Sequence, residues 1–470
     1  MKAAIVGSGP NGLAAGITLA RNGYDVTVYE SAATPGGGMR SNESLRSGVV
    51  HDMCSAVHPM SVVSPFFRET DLAKHGLRFA FPEVDLAHPL DGGRAGVLYR
   101  DIERTSAGLG SDGRLWKATF GPMAANFDKI GSSVFGPMLT IPKYPLSFGY
   151  FGMNAALPAQ LSAKRWRSDE AQALYIGVAA HNLTRLDTPM SSAAGTLLTA
   201  AAHVAGWPVA EGGSGSIAAA MVAELEELGG KVECDHEVTS LKELRNVDAV
   251  MLDVSPSIAL KICGDELPAR QRRAYRNFRH GVGAFKVDFV IKGKVPWTNA
   301  EARKAGTVHV GGTADEVARA EKAAAAGGLS DRPFILVGQQ YLADPSRSSG
   351  DYNPLWAYAH VPAGYRGDAT EAIVTQIERF APGFRDIIVE SVSYSTEAVQ
   401  DYNANYIGGD IIGGSSDMIQ LLARPIFAPD PYFTGIDGVY LCSASTPPGA
   451  GVHGMSGWQA ASRAIKARRT

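Results

Sequence analysis

The opening of the chain, KAAIVGSGPNGLAAGITLARNGYDVTVYE, constrains its fold more than any other stretch. Ala3 to Val6 is a short apolar run, the pattern of a strand buried on both faces of a parallel sheet. Gly7, Gly9 and Gly12 follow at once in G-x-G-x-x-G spacing, with Pro10 and Asn11 inside the turn. Leu13 to Arg21 is helix-forming, Asn22-Gly23 stops it, and Asp25 to Tyr29 reads as a second strand that ends on Glu30. Each glycine has a task. Gly7 permits the tight turn, Gly9 lets a pyrophosphate reach the backbone, and Gly12 lets helix and strand pack closely. The helix N-terminus offers unpaired N–H groups and the positive end of its dipole to the phosphates. Glu30 is placed to accept hydrogen bonds from a ribose, and its charge disfavours a 2′-phosphate. Strand, glycine turn, helix, strand and acid in this order predict an α/β, Rossmann-like dinucleotide-binding domain.

Which dinucleotide is bound is read from three further segments. A second glycine cluster, Gly36-Gly37-Gly38, comes shortly after the acid and is followed by Met39 and Arg40. In the middle of the chain Gly212 to Gly215 precede an amphipathic helix, Ile217 to Leu228, a Gly-Gly turn and a strand expected to end at Val238. VDAVMLDVSPSIALKI comes next. Near the end, Gly438 to Cys442 reads as a last parallel strand, the loop Ser443 to Gly454 follows, and a helix starts at about Met455.

Together these segments resemble the phytoene desaturase-like, FAD-dependent oxidoreductases of the flavoprotein superfamily that also holds amine oxidases and GDI-like proteins. The resemblance implies a Rossmann-like FAD-binding domain of the glutathione-reductase-2 type, built from residues 1–74, 205–269 and 431–470. It implies a discontinuous, mixed α+β substrate domain from residues 75–204 and 270–430. By this resemblance Gly37, Gly38, Met39 and Arg40 lie beside the FAD, and the backbone of Val238 contacts the adenine. Ser443, Gly451, His453, Gly454 and Met455 would lie along the flavin. The arginine is displaced by one residue from the usual Gly-Gly-Arg. Ser443, Pro447 and His453 stand where glycine, histidine and proline are usual.

Composition excludes other classes. A formal net charge of -3 gives no basic face for nucleic acid. Cys54, Cys234, Cys263 and Cys442 include no Cys-x-x-Cys pair, so a disulfide framework is not expected and a reducing cytosol is the default. The N-terminus turns glycine-rich too early for a signal peptide. No window reaches the roughly 18 apolar residues of a spanning helix, so a cytoplasmic, soluble protein is expected. From Ile130 to Leu161 the only charge is Lys143 and no helical period is sustained. This stretch reads as the mouth of an apolar cavity, a patch in peripheral contact with a membrane, or a packed loop. Glu316 to Asp331 reads as a solvent-facing helix without a function.

His51, Asp52, Cys54 and His58 cluster in HDMCSAVH, but no second cluster completes a metal site, so no metal is predicted. The cluster is read as a flavin or substrate contact or as simple packing, with His58 the substrate candidate. His453 is the candidate catalytic residue, expected to face the flavin, and Tyr402 and Tyr406 are expected to line the substrate pocket. The resemblance implies hydride transfer from an apolar, isoprenoid or lipid-like substrate to flavin N5, in a dehydrogenation or isomerisation. Two alternatives stay open: an amine-oxidase-type oxidase, and a GDI- or Rab-escort-like lipid-binding protein without a redox role. No second G-x-G-x-x-G follows a strand. That points to oxygen, a quinone or a protein as electron acceptor rather than bound NAD, and leaves its identity unknown.

Overall fold

The structure, a computed structural model, describes residues 1–137 and 140–469; Met138 and Leu139 of the charge-poor stretch lie outside it. The strands that frame it are, along the chain, β1 (Lys2–Val6), β2 (Asp25–Tyr29), β3 (Val84–Pro89), β4 (Ala95–Leu98), β5 (Lys231–Glu233) and β6 (Ala249–Leu252). They continue as β7 (Gly283–Lys292), β8 (Ala305–Val310), β9 (Ile335–Gly338), β10 (Tyr352–Val361), β11 (Ile388–Tyr394) and β12 (Val439–Leu441). The helices that matter to the site are α1 (Pro10–Arg21), α2 (Pro145–Ala155), α3 (Asp169–Ala179) and α4 (Ser192–Ala205). After them come α5 (Gly215–Glu227), α6 (Ala314–Ala325), α7 (Thr370–Phe380) and α8 (Met455–Arg469).

A five-stranded sheet runs in the order β12, β6, β1, β2, β5, with every pairing parallel. The apolar run Ala3 to Val6 is its central strand, buried on both faces as its composition requires. α1 crosses from β1 to β2 and buries Leu13, Ile17 and Leu19 completely. Burial of side chains of this size contributes about 1.5–3 kcal/mol each. On the other side of α1 lies α8, so close that a Cβ on Gly457 would come within 1.8 Å of the Asn11 carbonyl oxygen. The two ends of the chain are packed against each other by a glycine.

The second sheet is seven-stranded, ordered β11, β7, β10, β9, β8, β3, β4. Only its β8–β3 pair is parallel. The period of two along its strands separates the faces. Val287, Phe289, Val308, Val310, Val337, Ala357 and Ala359 face one side, where Ile373, Ile377 and Phe380 of α7 cover them. The opposite face is polar and aromatic. There Thr307 lies opposite Gly338 and Gly338 opposite Trp356, while His309 lies opposite Leu336 and Leu336 opposite Tyr358.

Three expectations are corrected. Val238 is not in a strand: β5 ends at Glu233, and Val238 is a buried residue of the segment that follows. The charge-poor stretch contains helix α2. Its Phe148, Phe151 and Ala155 line a cavity while Leu146 and Met153 are exposed, so apolar side chains surround the helix and erase the period. α6 is not solvent-facing on all sides: it buries Val317, Ala318, Ala320, Glu321 and Ala324. Glu321 disguises the inner face, because its carboxylate is buried on His360 at 2.8 Å.

Candidate active site

The C-terminal ends of β1, β2, β6 and β12 open onto one cavity of about 900 Å³, whose opposite wall is the polar face of the second sheet. This is where parallel α/β sheets bind ligands. Backbone forms much of the near wall. Gly7 has φ +98°, and a Cβ there would lie 2.8 Å from the Asp253 carbonyl oxygen. Gly12 stands behind the wall: its Cβ would come within 2.0 Å of the Gly7 oxygen, which is the packing role its position demands.

Glu30 is buried and organised by the turn it faces. It accepts from the Ser8 N–H at 3.0 Å, the Ser8 hydroxyl and the Ala32 N–H at 2.9 Å. Arg40 pairs with it at 3.2 Å and lies over the Tyr402 ring. Asn11 lines the same wall and leaves its side-chain oxygen buried without a partner. Gly37 is held by the Tyr402 hydroxyl, which donates to its carbonyl, and a Cβ on Gly38 would strike the Tyr406 hydroxyl. Tyr402 and Tyr406 therefore sit on the glycine turn at the nucleotide end as well as on the cavity.

Of the residues expected at a cofactor, Gly7, Gly9, Pro10, Asn11, Glu30, Gly37, Gly38, Met39, Arg40, Val238, Ser443 and Gly451 line the cavity. His453 does not line it. Its Nδ1 accepts the Met455 N–H at 3.0 Å, capping α8, and its ring packs edge-on to Phe135. Burial pushes its pKa down to about 4, against the Gly449 and Ala450 carbonyls, so the ring is neutral. Gly454 and Met455 also turn inward: a Cβ on Gly454 would meet Phe66 and Ala14, and Met455 is buried. The loop touches the cavity from Ser443 to Ser445, at Pro448 and from Ala450 to Val452, with His453 as its brace from behind.

His58 does line the cavity. Its Nε2 lies 2.8 Å from the Ser214 hydroxyl, which itself donates to the Ser55 carbonyl; His58 therefore donates to Ser214 and leaves Nδ1 bare. Burial lowers its pKa to about 4. Its neighbours in HDMCSAVH point elsewhere: His51 to the Phe289 carbonyl at 3.0 Å, and Asp52 to Arg347. Among the described residues one other group, His75 with Glu224 and Glu227, has ligand-type atoms close together, but Lys74 and Arg21 already pair with Glu224.

Two charged positions beside the cavity escaped the sequence reading. The first is Asp253, just beyond β6, whose carboxylate accepts the Gly12 N–H at 2.8 Å at the N-terminus of α1. Burial drives its pKa up to about 7; the Gly12 N–H works against this and the Glu30 charge adds to it. The signal was an acid directly after an apolar strand, in LDVSP. The second is Lys286, buried on the polar face of β7 and paired with Asp288. It borders a small satellite space that shares Cys54, Trp356, Tyr358, Tyr402 and Tyr406 with the main cavity. A lysine inside the strand AFKVDF, between apolar neighbours, was the available sign.

FAD fits these residues. The glycine cradle leaves no room for Cβ atoms, Glu30 is preset as an acceptor, and Asn11 holds an unpartnered polar atom at the wall. Asp253 lines the cavity at the N-terminus of α1. Its pKa, raised to about 7 by burial, lessens its charge towards an anionic group below that pH.

Comparison with known proteins agrees with this geometry at the level of fold. The family described as an NAD(P)-binding Rossmann-like domain matches residues 5–70. The NAD-dependent dihydropyrimidine dehydrogenase subunit PreT of Escherichia coli K12 is 58% identical over 40 residues, 8% of this chain and 10% of that protein. The chain thus spans about a tenth of the length of this curated relative. Two solved structures align along essentially the whole chain. An oxidoreductase from Methanosarcina mazei has a TM-score of 0.63 at 14% identity, covering 100% of both chains. Putrescine oxidase bound to putrescine has a TM-score of 0.61 at 17% identity, again covering 100% of both. The chain has the fold of these oxidoreductases, a Rossmann-like α/β domain joined to a discontinuous substrate-side sheet.

Proposed function

We propose that the chain is an FAD-dependent oxidoreductase that takes hydride from a mainly apolar substrate, as the resemblance to phytoene desaturases implies. One observation carries the reading: a single cavity runs from the glycine turn and Glu30 to walls built by α2, α4 and the second sheet. Bound FAD would supply the hydride acceptor. The protein's own share is placement. Gly7 and Gly9 admit the pyrophosphate, Glu30 takes the ribose hydroxyls, and the Gly451–Val452 backbone closes on the flavin side. Phe148, Phe151, Leu197 and Leu198 exclude water from the substrate path.

The amine-oxidase reading is favoured by the putrescine oxidase fold match and is disfavoured by charge. The acidic residues of the cavity wall are Glu30, Glu237, Asp253 and Asp401. Among the described lining residues none comes from α2, α4 or the second sheet, and the buried Asp288 of that sheet is already paired with Lys286. Entry from a lipid surface is part of the proposal, supported by the exposed Ile141, Leu146 and Met153 on and beside α2. No helix among the described residues is long and apolar enough to cross a membrane. Anaerobic mixing with lipophilic alcohols and alkenes on one side, and with primary amines on the other, tests the choice. Bleaching of the flavin band by the former supports the proposal, and bleaching by amines alone selects the oxidase reading.

A further inference from the structure

The side of the cavity that meets the second sheet is not uniformly apolar. His181, Asn182, Trp207, Thr307 and Trp356 all line it. The indole nitrogens of Trp207 and Trp356, the Thr307 hydroxyl and the Asn182 amide nitrogen are each buried without a hydrogen-bond partner. These residues are between 2% and 7% exposed. Buried donors left unpaired carry a full desolvation penalty, and native structures seldom retain several together. They converge from separate parts of the chain. Thr307 and Trp356 flank Gly338 in one row of the second sheet, and the Trp207 ring lies 5.4 Å from that of His181 and 6.0 Å from that of His309.

The histidines add a donor. His181 Nε2 and His309 Nε2 are 2.9 Å apart, so one donates to the other. His309 Nδ1 is buried without a partner, and a bare lone pair is tolerated there better than an unpaired N–H. His309 therefore donates from Nε2, and His181 keeps its proton on Nδ1, the nitrogen left for the cavity. Burial holds both rings neutral. Leu183, immediately after Asn182, has φ +46°, a strained conformation for a branched side chain and a common mark of a held site. Among the described residues no lysine, arginine or carboxylate of the cavity lining belongs to these segments; Asp85 behind them accepts the Trp207 backbone N–H at 2.9 Å, and Asp288, opposite Trp356 in the sheet, is paired with Lys286.

We propose that this side of the cavity binds an uncharged, oxygen-bearing group of the substrate, a ketone, aldehyde or alcohol, whose oxygen takes one or two of the donors offered by His181, Asn182, Trp207, Thr307 and Trp356. The proposal deepens the functional reading above and rests on this cavity being the substrate site. The substrate is then an apolar chain with one neutral acceptor at its tip, and a pure hydrocarbon is the poorer ligand.

The test displaces Nile red from the flavin-loaded protein with 2-undecanone, undecane and undecanoate. The ketone is expected to bind about tenfold more tightly than either, the ratio that one or two net hydrogen bonds supply. Trp207→Phe and Thr307→Val should each remove about fivefold of that advantage while leaving undecane within twofold. Equal affinity for ketone and alkane in the wild-type protein overturns the proposal, as does preference for undecanoate. Unchanged ketone affinity in both variants also overturns it, and Trp356→Phe replaces either variant that does not fold. Flavin content, read separately from the visible band, reports on the functional reading, so a protein without flavin that still discriminates the ketone fails only the latter.

Discussion

At the nucleotide end of the cavity the turn Gly7 to Asn11 presents backbone from one stretch, whereas the side that meets the second sheet is walled by side chains from stretches as distant as His181, Trp207, Thr307 and Trp356. The first wall tolerates no added atom, because Cβ atoms on Gly7, Gly9 and Gly12 would all fall inside contact distance. The second, on the proposal above, works through donors that must be present. A site can thus be specified by what must be absent or by what must be present, and the two kinds of specification fail differently under mutation.

Gly12→Ala should show the largest effect. Its Cβ would sit 2.0 Å from the Gly7 oxygen, and the turn cannot relax without separating β1 from α1. A loss of about 4 kcal/mol or more is expected, with no flavin retained through gel filtration. A variant that melts like the wild type and keeps its colour would erase the distinction between the two walls.

Arg347→Met comes next. Arg347 is fully buried and pairs with Asp52 and Asp344 while donating to the Ala210 carbonyl, so it ties the second sheet's connections to the nucleotide side. Removing it leaves the buried Asp52 without its counter-charge, held only by the Ser41 hydroxyl and the Ser214 N–H, at a cost of about 3–5 kcal/mol in urea unfolding. Burial pushes the Asp52 carboxyl up, but Arg347 and the Ser214 N–H outweigh this and hold it below its ordinary value. Its contribution is therefore present above the unfolded pKa, about 3.9, and is lost as pH falls through the lower folded value. The gap between wild type and variant should close in that acid window. A gap that persists would detach Asp52 from Arg347.

A smaller effect is expected at Asp253, with a sign set by its raised pKa of about 7. The stability this group contributes is full below its unfolded value and is lost as pH rises through about 7. FAD should follow the same course, since the ionised carboxylate opposes the phosphates. Asp253→Asn keeps an acceptor for the Gly12 N–H and should bind FAD about tenfold more tightly than the wild type at pH 8, with little difference at pH 6. Equal pH profiles in a fluorescence titration would place the phosphates away from Asp253.

His453→Ala should do least. It removes a helix cap, worth about 1 kcal/mol, and leaves flavin content and reduction rate unchanged, as measured by melting and stopped flow. A changed reduction rate would return His453 to the flavin face.

What the sequence made legible divides along the same line. β1, the glycine turn, α1, β2 and Glu30 are contiguous, so their spacing alone displays the site. Cys442 and Gly451 were legible for the same reason, a strand running straight into a glycine loop. The far wall depends on register: Thr307, Gly338 and Trp356 meet only because three strands pair as they do. His453 was misread because a loop histidine can face a cavity or cap the next helix, and HGMS admits both. Asp253 was legible and passed over.

The most direct measurement is the identity and amount of chromophore released when the purified protein is denatured. The glycine cradle and Glu30 predict one FAD per chain, with a visible flavin band in the native protein that Glu30→Gln weakens. A colourless protein that takes up no FAD on reconstitution, or one that releases FMN or NAD instead, would contradict the assignment of this cavity.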